Sequence, residues 1–354
     1  MPFSIKKREK TKLRDRFPVL WQVLGDLLAN ETCYCASDYN SFTFKARRSR
    51  KSRTIDAPCP HLKALQRQAL NILLAPVVVH EAAMAFAPGK SIAMNARCHL
   101  GATHLYSTDI RSFFTSVSRV HVKEMLATRV KYLSVEAREE ILDLVTWNER
   151  LPQGAPTSPH IANLVMFSFD ELCTDMATRV GATYTRYADD ISISSTSADV
   201  LLQMQKVVNM GLGALGMEPH PEKTRHLGPN QTKLVTGLDI GGSHIRPTRA
   251  FRKKTTALVR MSVKYPAEME KHQEVIFGYL AFWYDVDPGD PQLANLLWQM
   301  GQPREASRAK ATRQKQIGMM SKPSPTTPPP KEQQAVPLNA ERKPSKPPVT
   351  KPDV

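Results

Sequence analysis

The sequence predicts an α+β fold in which helices cover one face of a small antiparallel sheet. Three observations lead there. Residues 183–187 and 191–195 alternate apolar and polar side chains on either side of Ala188-Asp189-Asp190, the pattern of a β-hairpin with an acidic tip. Helical periodicity precedes this hairpin over residues 158–181 and follows it over residues 199–215, and a further strand pattern covers residues 104–110. With a final strand near residues 233–238, the order strand, helix, strand, strand, helix, strand is that of a split βαβ unit.

Taken along the chain, residues 53–58 read as extended, and residues 62–79 are apolar at near-helical spacing, as a core helix would be. Ser158 followed by Pro159 predicts an N-cap with proline at the first helical position. Gly181 closes the run Ile161, Leu164, Val165, Leu172, Met176, Val180. After Gln302 the composition changes: the last 52 residues hold 11 prolines, 11 Lys and Arg and four acids, which cannot build a core. A disordered basic tail is expected there.

The 49 Lys and Arg against 33 Asp and Glu give a net charge of +16, and the tail accounts for only +7 of it, so the body is itself basic. A polyanionic partner, nucleic acid first, follows from that balance. The stretch over residues 73–88 is broken by His80 and Glu81 and is too short to span a bilayer, and the basic N-terminus lacks a cleavage site. No membrane association is expected, and a cytoplasmic location is. Cys33, Cys35, Cys59, Cys98 and Cys173 form no CxxC pair, which argues against a disulfide framework or a thiolate zinc site.

Chemistry concentrates on three acids. Asp189 and Asp190 stand at the hairpin tip, and Asp109 ends the strand expected beside it. Carboxylates so gathered next to a basic surface suit magnesium, which prefers oxygen ligands and leaves positions open for phosphates; two-metal phosphoryl transfer is the matching reaction. By itself an Asp-Asp pair at a turn is more often solvated, so its setting decides.

That setting is a series of motifs in fixed order: Arg53-Thr54-Ile55-Asp56-Ala57-Pro58, Asp109-Ile110-Arg111-Ser112-Phe113-Phe114, Leu151-Pro152-Gln153-Gly154-Ala155-Pro156-Thr157-Ser158-Pro159, Tyr187-Ala188-Asp189-Asp190 and Glu222-Lys223-Thr224. The series resembles the reverse transcriptases, and specifically the bacterial retron type. Asn95-Ala96-Arg97-Cys98-His99 and Val235-Thr236-Gly237 resemble two further retron elements, and Gly278-Tyr279-Leu280-Ala281-Phe282 resembles the family's thumb. Together these motifs span roughly residues 45 to 285.

The resemblance implies a right-hand polymerase fold. An N-terminal region with fingers would occupy residues 1–105, and a palm residues 106–245 with a fingers segment interleaved near 125–160. A helical thumb would follow over 246–302 and the Pro-rich tail over 303–354. It implies that Asp109, Asp189 and Asp190, with the Ile110 carbonyl, hold two Mg2+ ions, for which Mn2+ is a possible substitute. Arg53, a guanidinium fork suited to phosphate oxygens, would grip the incoming dNTP. Phe114 would be the steric gate against a ribose 2'-hydroxyl, Gln153 would lie beneath the primer-template end, and Lys223 would neighbour the triphosphate.

Asn95, His99, Val235, Thr236 and Gly237 would serve the cognate RNA, and Arg252, Lys253 and Lys254 would touch template phosphates. The implied activity is RNA-directed DNA synthesis on a cognate structured non-coding RNA that supplies template and priming 2'-hydroxyl. The product is RNA-linked DNA, made in antiphage defence together with a toxic effector protein. The alternatives are a defence-associated or intron-derived reverse transcriptase, and a nucleic-acid-bound scaffold that restrains the effector. The tail departs from the family pattern, and no ribonuclease H set of spaced acids follows the thumb segment.

Overall fold

The computed structural model describes residues 13–24, 39–45 and 52–301. The Pro-rich tail, the basic run Arg47, Arg48, Arg50, Lys51, and Cys33 and Cys35 lie outside the described residues. Two short helices, α1 (Leu13–Arg16) and α2 (Pro18–Leu24), come first. Strands β1 (Tyr39–Lys45) and β2 (Ser52–Pro58) then pair antiparallel, with Tyr39 opposite Pro58. Helix α3 (Pro60–Ala69) follows with proline in its first turn, where the missing N–H costs nothing. The regular helix is shorter than the apolar run predicts: it passes into a π turn over Leu70–Leu74 and stops before Pro76, which has no N–H for a further turn.

Ser91 caps α4 (Ile92–Arg97), its Oγ accepting from Met94 N. The central sheet begins with β3 (His104–Asp109). Beyond a single turn, α5 (Phe113–Ser116), lie α6 (Arg119–Arg129) and α7 (Val135–Val145), started by Ser118 and Ser134 side chains that accept from backbone N–H groups. The predicted long helix is two, α8 (Ser158–Val165) and α9 (Phe167–Arg179), interrupted at Met166. Ser158 is its first residue rather than its cap, because the Ser158 hydroxyl donates instead to Pro152 O at 2.7 Å.

The hairpin forms as its alternation predicts, from β4 (Thr183–Tyr187) and β5 (Asp190–Ser195), and α10 (Ala198–Ala214) follows. The fourth strand is β6 (Arg225–Leu227), giving the antiparallel order β4-β5-β3-β6. The sequence reading put this strand at residues 233–238 and is corrected: Thr236 and Gly237 both have positive φ, 48° and 79°, and fold that stretch into a tight turn. It forms β7 (Leu234–Val235) and β8 (Leu238–Asp239), which with β9 (Arg246–Pro247) make a separate small sheet. Arg225-His226-Leu227 is short and mostly exposed, so it carries no alternating pattern to read.

Alternation within the central sheet divides its two faces. Tyr106, Tyr184, Ile191 and Ile193 join the main core with residues of α9 and α10. These helices approach closely at Gly211, where a Cβ would stand 2.8 Å from the Phe169 ring. On the opposite face Leu105 packs with Ala93 and Ala96 of α4 and with Val235 and Leu238 of the small sheet. Helices α11 (Arg249–Lys264), α12 (Gln273–Val286) and α13 (Pro291–Gly301) close the described chain around a core of their own, centred on the buried Trp283.

Among the described residues no helix is long and apolar enough to cross a membrane. Cys98 and Cys173 are free, and Cys59 is disulfide-bonded. Spacing along the chain carries no sign of a pairing made by the fold.

Candidate active site

The register of the central sheet brings the three acids to one end. Asp109, the last residue of β3, stands opposite Asp190, the first of β5. Ile110 N donates to Asp189 O at 2.8 Å, and His220 N donates to Asp109 O at 2.6 Å. The peptide joining Asp109 to Ile110 is thereby tied on one edge to the hairpin and on the other to the segment leading into the 3-10 turn Pro221–Lys223. From that turn Lys223 reaches Asp109, with Nζ 2.6 Å from Oδ2.

Negative charge at this end is crowded. Burial, and behind it the carboxylates of Asp109 and Asp189, push Asp190 up to about 6. Asp189 is raised by burial and by Asp109. A cation relieves such crowding, and carboxylates are the hard oxygen donors that magnesium-like ions take. The donor set therefore fits a divalent metal. As the side chains stand, no group of three or more His, Cys, Asp or Glu among the described residues is placed to hold a metal ion, and Lys223 engages one Asp109 oxygen.

A buried network that sequence reading missed supports the hairpin tip. Arg186 is fully buried, its Nε and Nη2 donating to the two Asp170 oxygens at 2.8 and 2.6 Å. Nη1 donates to Ala188 O at 2.9 Å and to Asn163 Oδ1 at 3.2 Å. Ala188 is held at φ 58°, a backbone region unusual for a residue with a side chain, so the guanidinium fixes the strained residue just before Asp189. The signal was present: Arg186 shares an inward strand face with Tyr184, and Asp170 sits on the otherwise apolar buried face of α9.

Other motif residues fall as follows. Asp56 N donates to Gln153 O at 2.9 Å, and a Cβ on Gly154, at φ 142°, would stand 2.7 Å from Asp56 O. The motifs around Arg53 and Gln153 therefore dock together, and only glycine permits that approach. Arg53 itself is exposed on β2, and no ion pair among the described residues joins it to the acids. Phe114 is half-buried on the turn after Asp109, its ring 5.4 Å from that of Phe113 and 6.4 Å from that of Phe86.

The two retron-like elements meet. Thr236 Oγ1 donates to Ile92 O at 2.9 Å, and Gly237 completes the turn beside α4. His99 is fully buried: Nδ1 lies 2.7 Å from Ser194 Oγ and Nε2 2.7 Å from Thr185 Oγ1, and burial lowers its pKa to about 4. Asn95 and Val235 are buried as well. The Asn95, His99 and Val235 side chains thus pack behind the sheet and not on an open surface. Among the described residues the Asn95 amide has no hydrogen-bond partner on either atom.

On α11, Arg252 is half-buried 3.9 Å from Asp290. Lys253 is exposed, and Lys254 donates to Tyr279 Oη at 2.8 Å.

A four-stranded antiparallel palm with acids at the ends of its two central strands defines a polymerase-type fold. The family described as reverse transcriptase (RNA-dependent DNA polymerase) matches residues 45–257. The chain belongs to this family, and its relatives place it in the retron-type branch. It is 33% identical over 290 residues to the retron Mx162 reverse transcriptase of Myxococcus xanthus, with 72% of this chain covered, and 30% identical over 274 residues to the retron Mx65 reverse transcriptase of the same organism, with 73% covered. With the retron Ec83 reverse transcriptase of Escherichia coli it shares 34% identity over 247 residues, covering 67% of this chain and 79% of the relative. The chain spans 59% and 63% of the two Myxococcus relatives. Reverse transcriptases use divalent metal ions, in keeping with the donor set at the sheet end.

Proposed function

We propose that this protein is a cytoplasmic, magnesium-dependent RNA-directed DNA polymerase that copies a cognate structured non-coding RNA into RNA-linked single-stranded DNA. The observation that carries this reading is the convergence of Asp109 and Asp190 in register across β3 and β5, with Asp189 beside them and Lys223 on Asp109. When bound, two Mg2+ ions supply the charge that activates the attacking hydroxyl and steadies the leaving pyrophosphate. Asp109, Asp189, Asp190 and the Ile110 carbonyl are the residues that would hold them.

The remaining steps belong to the chain's own groups. Lys223, paired with Asp109, would give a proton to the departing pyrophosphate. Arg53 would bind triphosphate oxygens, Phe114 would exclude a 2'-hydroxyl, and Gln153 would support the primer-template end. We read α11–α13 as the thumb, with Lys253 and neighbouring cations facing template phosphates. The junction of Thr236 with α4 would set the shape recognised in the cognate RNA and its priming hydroxyl. In the cell the RNA-linked DNA would act in antiphage defence, with an effector protein as partner.

The experiment is extension of a DNA primer annealed to RNA, with dNTPs and Mg2+. Synthesis by the parent and its loss in Asp190→Asn support the reading; equal synthesis by both, or none by the parent, contradicts it.

A further inference from the structure

Phe86 adopts φ 57°, in the left-handed region. For a bulky aromatic this is a genuine outlier, and such strain persists only where surrounding structure over-determines it. The surroundings do so here. Met84 N donates to Arg186 O at 2.8 Å and Arg186 N to Ala82 O at 2.9 Å, so the segment before Phe86 runs along the outer edge of β4. Asn163 Nδ2 donates to Ala85 O at 2.8 Å, and the same Asn163 accepts from Arg186, whose guanidinium holds Ala188. One buried network thus fixes both the catalytic turn and the residue before Phe86.

Burial does not explain the strain, because Phe86 is 51% exposed. Its ring stands beside that of Phe114, 6.4 Å between centroids with the planes tilted by 51°. Phe114 follows Asp109 by five residues on the turn that Ser112, itself at φ 53°, bends back toward the site. Two aromatic faces, one strained and half-exposed, therefore stand beside the same end of the sheet as the acids. A flat, apolar ligand part fits against such a pair.

Building on the polymerase reading, we propose that Phe86 is a specificity-determining residue that forms a second aromatic wall of the nucleotide pocket, packing with Phe114 against the sugar and base of the incoming dNTP. The chain accepts an unfavourable backbone at Phe86 to present this ring. Glycine would suit the backbone better and lacks the ring, so strain and function separate in one substitution.

The test compares the full chain with Phe86→Gly and Phe86→Tyr on a DNA primer annealed to RNA. Expected for Phe86→Gly is a dNTP KM raised about tenfold or more, within the range that base stacking on an aromatic ring contributes. Its primer-template Kd should stay within twofold, and thermal unfolding should occur no earlier than in the parent. Phe86→Tyr keeps the ring and should keep the parent's KM. An unchanged KM in Phe86→Gly overturns the proposal, as does a Tyr variant as impaired as the Gly variant. A primer-template Kd that rises in step with KM would assign the ring to the template strand instead, and also overturns it. A parent that extends while Phe86→Gly behaves like it removes only this inference; a parent that extends nothing removes the polymerase reading beneath it.

Discussion

Lys223 Nζ lies 2.6 Å from Asp109 Oδ2, joining the 3-10 turn after α10 to the end of β3. Both groups retain access to solvent, with side-chain exposures of 45% and 19%, so the pair is not a buried structural bridge. On the proposed polymerase reading, an ammonium held there would meet a phosphate arriving at the acids. Lys223→Met should lower the single-turnover rate of nucleotide addition about 100-fold, the lower end for a lost general acid, while changing unfolding little. Rates within threefold of the parent would leave Lys223 a surface cation.

Phe114→Val removes the ring that stands five positions after Asp109, beside Phe113 and Phe86. The variant should incorporate ribonucleotides more readily than the parent, measured as the ratio of kcat/KM for matched ribo- and deoxynucleotides. An unchanged ratio would return Phe114 to a packing role next to Phe113.

Much of the site was legible in the sequence because its elements carry periodic signals. The alternation on either side of Ala188-Asp189-Asp190 located β4 and β5, and the resemblance ordered Asp109, Asp190 and Lys223 before any geometry was known. What the sequence concealed depends on contacts between distant residues. Arg186 and Asp170 are 16 positions apart and reveal their pairing only when α9 lies against β4. Apolar Val235 and Leu238 read as one strand, whereas positive φ at Thr236 and Gly237 folds them into two. His99 read as an RNA residue by resemblance, but two strand hydroxyls enclose it.

The buried Arg186–Asp170 pair yields a prediction about stability. Arg186→Met leaves the Asp170 carboxylate buried without its partner and should cost about 3–5 kcal/mol in urea unfolding. Arg186→Met combined with Asp170→Leu should be less destabilised than Arg186→Met alone, because the unpaired charge is gone. Even where the double variant is folded, its nucleotide addition should stay impaired, since nothing then holds Ala188 O. Equal losses of stability in the single and double variants would contradict this account of the network.

His99 gives the fold a pH dependence of known sign. Its pKa is lowered from 6.5 to about 4 by burial, so between those values the unfolded chain binds the extra proton and the folded chain does not. The stability it supports is intact above about pH 6.5 and lost progressively as pH falls toward 4, by up to ~3 kcal/mol. His99→Gln removes that titration. Thermal unfolding of His99→Gln should therefore decline less than the parent's between pH 7 and pH 4.5; parallel declines would show that His99 does not resist protonation.

The central claim is that the three acids make DNA on a particular RNA. The most direct measurement is to express the chain together with the genomic sequence flanking its coding region, purify the complex, and sequence the bound nucleic acid before and after ribonuclease treatment. The account predicts single-stranded DNA covalently joined to RNA in the parent complex, and the same RNA without DNA in Asp190→Asn. RNA-free protein, or DNA present equally in both preparations, would contradict it.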